Sequence, residues 1–262
     1  MSYKKLNLSI EESIGTITLN NPDFLNSLDE EMLDEFIEAM DKCSDDTDIR
    51  AIIITGEGKA FCAGGDINAL KKALETDPES SFGVVRKVGL AALRIRNARK
   101  PVIASINGAA AGAGFNLALA CDFRICADNA KFIQSFVNLG LVPDMGGTFF
   151  LTKMIGAAKA TELIMTGRTV KAEEAEKLGL VNQVVSVEEL ENKTKEFAAT
   201  LASSPTRALG NMKALINRSA FDGLENILDN ELEYQIQCAK TEDFKEGVTA
   251  FLEKRPPTFK GK

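Results

Sequence analysis

The first third of the chain alternates between strand-like and helix-like patterns of apolar positions. Residues 14–19, IGTITL, place isoleucine and leucine on one face and threonines on the other, which predicts a β-strand. The Asn-Asn-Pro sequence at 20–22 then turns the chain. Ser27 and Glu30 have the spacing of a capping box, and apolar residues at positions 28, 32, 33, 36, 37 and 40 follow at helical spacing. We therefore predict a helix that is capped by Ser27.

Short apolar runs further along predict buried strands, and helical patterns lie between them. The predicted strands span residues 51–55, 101–106, 123–127 and 180–185, and the predicted helices span residues 157–165, 172–178 and 186–201. From Pro205 onward the pattern is helical only. This order predicts an α/β fold with a largely parallel sheet, divided into a core of residues 1–200 and a helical region of residues 201–262. The helical region should pack on the core or on another subunit.

Composition narrows the class of protein. The chain has 262 residues, of which 45% are hydrophobic and 26% charged, and its net charge of -7 lacks the basic footprint that nucleic acid binding needs. Residues 101–120 reach the length of a membrane span, but their glycines and their place after a strand pattern favour a buried core. Five cysteines without a C-x-x-C motif, and no visible secretory leader, indicate reduced thiols in a cytoplasmic protein.

The chain contains no histidine, and this absence limits the chemistry that it can perform. It excludes Ser-His-Asp and Cys-His catalysis as well as the zinc motifs that contain histidine. General acid–base chemistry must therefore come from carboxylates, lysine, tyrosine or cysteine.

Two glycine-rich loops each follow an apolar strand and precede a helix. The first is GEGKAFCAGGD at residues 56–66, and the second is NGAAAGAGF at residues 107–115, before a helix predicted to start near Asn116. Neither has the spacing of a Walker A loop or of the dinucleotide fingerprint. Two interpretations stay open: the glycines let helix and strand pack closely, or backbone N–H groups of both loops converge on one carbonyl oxygen as an oxyanion hole.

Four blocks of sequence together resemble the signature of the enoyl-CoA hydratase/isomerase (crotonase) family. They lie at residues 59–68, 100–133, 139–152 and 250–260, in the order in which the family has them. The resemblance implies an α/β fold with a crotonase-like ββα spiral core and a C-terminal helical trimerisation region. It also implies an acyl-CoA thioester substrate, a homotrimer or dimer of trimers, and no cofactor, because coenzyme A is part of the substrate.

The resemblance also implies roles for individual residues at matching positions of this chain. It implies that the N–H groups of Gly65 and Ala113 form an oxyanion hole for the thioester carbonyl. The lysine of the last helix, Lys254, resembles a residue that reaches a CoA phosphate from a neighbouring subunit. The positions that contact CoA in the family correspond here to Leu25, Ser27, Ala63, Asp66 and Ile67.

Departures from the family pattern bear on the reaction. Hydratases of the family use two glutamates, and their positions are Asn116 and Phe136 in this chain, where we expect them to contact substrate instead. Asp144 remains, at the place where isomerases of the family carry an acid, although Pro-Asp-x-Gly is also a common turn sequence. A single base suits a 1,3-proton shift, so an isomerase acting on a double bond or on a ring-derived CoA ester is expected. An enoyl-CoA hydratase with altered catalytic groups and a non-catalytic acyl-CoA-binding protein stay as alternatives.

Overall fold

The computed structural model describes residues 3–75 and 82–262, which form two β-sheets surrounded by helices. The strands of the first sheet are, in spatial order, β1 (Leu6–Glu11), β2 (Ile14–Leu19), β3 (Ala51–Gly56), β5 (Val102–Ile106), β7 (Phe123–Ala127) and β10 (Gln183–Val185). Those of the second sheet are β4 (Ala60–Cys62), β6 (Ala109–Ala111), β8 (Lys131–Ile133) and β9 (Thr169–Lys171). Within these residues, only the pairs β1–β2 and β8–β9 are antiparallel.

Ten helices surround the sheets in the described part of the chain. Those of the first two thirds are α1 (Glu30–Asp45), α2 (Ile67–Glu75), α3 (Phe82–Asn97), α4 (Ala113–Ala120), α5 (Gly147–Thr166) and α6 (Ala172–Lys177). The last four are α7 (Leu190–Ser203), α8 (Thr206–Ala220), α9 (Leu224–Ala239) and α10 (Glu242–Leu252). Short 3₁₀ segments lie at Pro22–Phe24 and Ser135–Leu139. From β3 onward, successive strand pairs supply one strand to each sheet, so the chain advances as a spiral, and the predicted fold class is confirmed.

The central strands of the first sheet, β3 and β5, are buried on both faces, which explains their nearly continuous apolar sequences. In β3, Ile52 and Ile54 pack into the main core, whereas Ile53 points to the opposite face and packs in a smaller cluster. That cluster includes Ala198 and Ala202 of α7, which covers the second face. A strand with apolar neighbours on both sides loses the polar alternation of a half-exposed strand.

The predicted cap of the first helix is wrong. The helix begins at Glu30, and the side chain of Asp29 accepts a hydrogen bond from the Met32 N–H at 2.8 Å. Ser27 cannot cap it because the neighbouring residue Leu28 is bound to the first glycine-rich loop, where its N–H donates to Gly64 O at 2.7 Å. The chain is thus held away from the helix axis until Asp29, and the loop contact takes precedence over the capping box.

Two further helix boundaries differ from their predictions. The helix expected near Asn116 begins at Ala113, directly after β6 and after a reversal at Gly112, where φ is 51°. The helix expected from position 157 begins at Gly147 and is interrupted at Gly156, which has non-helical angles. Residues 101–120 divide into β5, β6 and α4, and no helix in the described ranges is long and apolar enough to cross a membrane.

The C-terminal helices pack on the core of the same chain. Phe244 and Val248 of α10 are buried, and Gly247 lies so close to the 3₁₀ segment that a Cβ there would be 2.6 Å from the Leu139 carbonyl carbon. Helix α9 packs against α3. Of the two predicted positions for the helical region, the structure therefore shows the one against the core.

Candidate active site

A cavity of about 710 Å³ lies between the second sheet and the helices α2, α3 and α10. Most of its wall is apolar, with Val84, Val85 and Val88 from α3 and Phe251 from α10. The exposed carboxylates Glu30 and Glu31 at its mouth pair with lysines of the same chain. The shape and apolar lining are those of a site for a small molecule with a hydrophobic part.

The two glycine-rich loops meet at one wall of this cavity. Strands β4 and β6 pair in parallel, so the segments that follow them leave the sheet side by side. A Cβ on Gly64 would be 2.6 Å from Ala111 O, and a Cβ on Gly114 would be 2.2 Å from Cys62 O. Neither distance tolerates a side chain, so both glycines are needed for the two loops to approach.

Two backbone N–H groups at this junction are available to a ligand. Ala113 is the first residue of α4, where an N–H has no partner within its own helix. Among the described residues, no atom accepts a hydrogen bond from the N–H of Gly65 or of Ala113. Both residues line the cavity. Close packing and the supply of free donors are therefore two consequences of the same glycines, and the donors suit an oxygen that becomes negative.

Asp144 lines the same cavity on the loop before α5. Its side chain is largely buried, and no described residue donates a hydrogen bond to its Oδ1 atom, which is shielded from solvent. Burial raises the pKa of the Asp144 carboxyl from 3.8 to about 7, because desolvation disfavours the charged form by more than the hydrogen bond from the residue's own backbone N–H favours it. A carboxyl group with this pKa can take up and release a proton near neutral pH.

Asn116 supports this aspartate from behind. Its Nδ2 donates to the backbone oxygen of Asp144 at 2.8 Å, and its Oδ1 accepts a hydrogen bond from Gln134 Nε2 at 2.7 Å. Gly147 must lack a side chain because a Cβ would lie 2.2 Å from Asn116 Nδ2. Asn116 is fully buried and is absent from the cavity wall. In the structure, the amide of Asn116 thus holds the backbone of the Asp144 loop, and its contact with substrate stays a prediction.

The structure brings together most, but not all, of the predicted site residues. Those on the cavity wall are Ala63, Gly65, Asp66, Ile67, Ala113, Phe136 and Asp144. Phe136 is buried and gives that wall an apolar surface. Leu25, Ser27 and Lys254 lie outside the cavity: Ser27 is buried, whereas Leu25 and Lys254 are exposed with positive φ angles of 52° and 55°.

Comparison with known proteins places this arrangement in a family. The family model described as enoyl-CoA hydratase/isomerase matches residues 9–262. The chain belongs to the enoyl-CoA hydratase/isomerase family. It is 37% identical to the trans-2-decenoyl-[acyl-carrier-protein] isomerase of Streptococcus mutans over the whole of both chains. It is 40% identical to the 1,2-epoxyphenylacetyl-CoA isomerase of Escherichia coli over 97% of each chain.

Structural comparison adds a hydratase to these relatives of the enoyl-CoA hydratase/isomerase family. A crystal structure of an enoyl-CoA hydratase from Mycobacterium avium subsp. paratuberculosis superposes with a TM-score of 0.90 at 29% identity, covering 99% of this chain and all of that one. The crotonase resemblance seen in the sequence is therefore confirmed. Because isomerase and hydratase names both occur among similar proteins, membership of the family leaves the reaction to be argued from the site.

Sequence reasoning missed two glutamines that shape this family site. Gln134 is almost fully buried and holds Asn116, and Gln235 of α9 lines the cavity while its Nε2 donates to Val142 O. Gln134 directly follows β8, and Gln235 lies within an amphipathic helix. A polar residue in such places looks like an exposed one in the sequence, since only long-range packing buries it. No pattern in the sequence distinguishes either glutamine.

Proposed function

We propose that the protein is an isomerase that moves a double bond, or rearranges a ring-derived group, in an acyl-CoA thioester. The observation that supports this most is the position of Asp144, a largely buried carboxylate with an unpaired oxygen, on the cavity that also exposes two free N–H groups. The other carboxylates on the cavity wall have partners: Asp29 pairs with Lys5, and Asp66 accepts a hydrogen bond from the Asn68 N–H. Asp144 is thus the group that is placed to act as a base.

The proposed reaction is a 1,3-proton shift. The thioester carbonyl oxygen accepts hydrogen bonds from the N–H groups of Gly65 and Ala113, which stabilises the negative charge of the enolate. The Asp144 carboxylate removes a proton from C2 of a 3-enoyl thioester, and the C2 electrons form the dienolate. The neutral carboxyl group then returns a proton to C4, giving the 2-enoyl thioester and regenerating the carboxylate. One carboxyl group can serve both steps because the proton leaves C2 and returns to C4 on the same face of the substrate.

The environment of the site disfavours hydration. Adding water across the double bond requires groups that orient a water molecule and accept its proton. Phe136 offers neither function, and both ends of the Asn116 amide are occupied by Asp144 O and Gln134. An altered enoyl-CoA hydratase would therefore have to combine Asp144 with other polar side chains of the wall, such as Ser135 or Asn138.

The two isomerases similar to this chain are named for different carriers, coenzyme A and acyl carrier protein. We propose coenzyme A as the carrier of the thioester, with Leu25 and Ser27 among the residues that contact it and Lys254 reaching a phosphate from a neighbouring subunit of a trimer or hexamer. The proposed chemistry needs no further cofactor, because base and oxyanion hole belong to the chain.

Two substrates offered separately test this function. With a 3-enoyl-CoA, we expect the absorbance of the conjugated 2-enoyl thioester to appear; with a trans-2-enoyl-CoA, we expect little loss of that absorbance. Asp128→Asn, at an exposed aspartate outside the cavity wall, is the matched control for Asp144→Asn. Fast loss of the 2-enoyl absorbance through water addition would make the protein a hydratase. Binding of both esters without turnover would make it a binding protein.

A further inference from the structure

Helix α9 places two buried polar side chains against the loop that carries Asp144. Glu231 is 6% exposed, and its carboxylate accepts hydrogen bonds from the N–H groups of Gly146 at 2.7 Å and Thr148 at 3.4 Å. Gln235, one helical turn further on, donates to Val142 O. The two side chains therefore hold the loop on either side of Asp144.

The backbone of this loop needs external support. Met145 and Gly146 both have positive φ angles, 53° and 76°. Two successive residues in this region, the first of them not a glycine, cost free energy and persist when surrounding contacts fix them. Glu231 binds the N–H at the second of these residues and the N–H two residues later. Its hydrogen bonds thus lie where the backbone reverses and enters α5.

Glu231 supplies hydrogen-bond acceptors to the N-terminus of α5 from a distant helix. Burial raises the pKa of Glu231 to about 8, and the charge of Asp144 acts in the same direction. A helix N-terminus is usually capped by a neighbouring serine, threonine, aspartate or asparagine, which avoids bringing a buried acid from a distant helix. Glu231 instead accepts from two N–H groups at once, and a neutral amide has one oxygen for that task.

We infer that Glu231 is a positioning residue that fixes the direction of the Asp144 carboxylate through the loop backbone. The inference rests on the proposed role of Asp144 and extends it to the C-terminal helical region. A shift of the loop moves the carboxylate relative to the substrate carbons, and misplacement by about 1 Å can cost about a hundredfold in rate. Coenzyme A binding depends on other walls of the cavity and should not change.

A graded series of variants tests this inference. Glu231→Ala removes both acceptors and should lower kcat by about a hundredfold, whereas Glu231→Gln keeps one acceptor and should lower it by about tenfold. KM for the 3-enoyl-CoA should stay within about twofold in both, because binding energy is not lost. Glu233→Gln, at an exposed glutamate of the same helix, is the matched control and should behave like the wild type. If Glu231→Ala does not fold, Glu231→Gln decides.

A double-mutant cycle separates positioning from general destabilisation. If Glu231 acts through Asp144, adding Glu231→Gln to Asp144→Asn should lower the residual rate no further, because the aspartate is already absent. The inference would be overturned if Glu231→Gln lowered the rate equally in the wild type and in Asp144→Asn. It would also be overturned if Glu231→Gln raised KM with kcat unchanged, or was as active as the Glu233→Gln control. A fully active Asp144→Asn single variant would instead remove the proposed function, so the two failures can be told apart.

Discussion

The two sides of the candidate active site are built in different ways. On the oxyanion side, the donors are backbone N–H groups that two adjacent strands, β4 and β6, bring together. On the base side, the Asp144 loop depends on side chains that lie far away in the sequence: Asn116 is 28 residues distant, and Glu231 is 85 residues from its partner Gly146. The first side should therefore be sensitive to any added side chain at the loop junction, and the second to remote polar substitutions.

A large effect is expected from a side chain at the junction of the glycine-rich loops. Gly114→Ala would place a Cβ 2.2 Å from Cys62 O, so the two strands must separate and the Ala113 N–H must move. Loss of one oxyanion donor typically lowers kcat by about 10²–10³, and we expect a loss of this size together with a lower melting temperature. Steady-state kinetics and thermal unfolding measure both.

Gly83→Ala is the matched control for this substitution. A Cβ at Gly83 of α3 meets no atom within 4 Å, and this exposed residue neither has a positive φ nor lines the cavity. The variant should keep the melting temperature and the kcat of the wild type. If Gly114→Ala is as active and stable as Gly83→Ala, the close approach of the two loops is not what holds the donors.

The pH dependence of the rate should report the base side. The carboxylate form of Asp144 is the active one, and its raised pKa of about 7 makes the rate fall as the pH falls below that value. Two units below the pKa only about 1% of the group is ionised, so kcat at pH 5 should be about a hundredfold below its plateau. A rate that stays constant down to pH 5 would mean that the group is not buried as the structure shows.

The free energy of unfolding should also depend on the ionisation of Asp144, but it should fall as the pH rises, whereas the rate increases. The pKa of Asp144 is higher in the folded chain than its ordinary value of 3.8, so the folded state binds the proton more tightly. Its contribution to stability is therefore present at low pH and is lost as the pH rises from about 4 through about 7. Asp144→Asn lacks this loss, so its melting temperature relative to the wild type should be higher at pH 8 than at pH 5. An unchanged difference would argue against a desolvated carboxyl group.

A smaller effect is expected at Asn116. Asn116→Ala removes the hydrogen bond to Asp144 O and leaves Gln134 without its acceptor, which costs about 1–3 kcal/mol. The Gly147 N–H still donates to Asp144 O at 2.9 Å, so the loop keeps part of its support. We expect kcat to fall by about tenfold and unfolding to occur at lower temperature. Abolished activity would indicate that the amide takes part in the chemistry.

Much of the first sheet could be predicted because its strands carry their own signal. β3 and β5 are apolar on both faces, and a buried strand of this kind is recognisable without knowledge of its partners. The strands of the second sheet have three residues each, and they are strands only because they pair with one another. The wrong prediction of Ser27 as a helix cap has a related cause. The contact between Leu28 and Gly64 that prevents capping joins residues far apart in the sequence, so the local sequence pattern does not show it.

The predictions for the candidate site show the same difference between local and long-range determinants. The glycine-rich loops after apolar strands left close packing and an oxyanion hole both open, and the resemblance to the family assigned Gly65 and Ala113 as donors. Asp144 could be singled out only through the resemblance to the family, because its own sequence also fits an ordinary turn. The side chains behind it, Gln134, Glu231 and Gln235, were not predicted, since burial by a distant helix turns common polar residues into structural ones.

The most direct test of the single-base account is the rate of double-bond migration in Asp144→Asn. The amide is nearly isosteric with the carboxylate but cannot carry the proton, so the variant should bind the 3-enoyl-CoA as the wild type does. Its kcat should be lower by about 10²–10⁴, the usual contribution of a positioned acid–base group. A variant that binds normally and still moves the double bond at the wild-type rate would contradict the account.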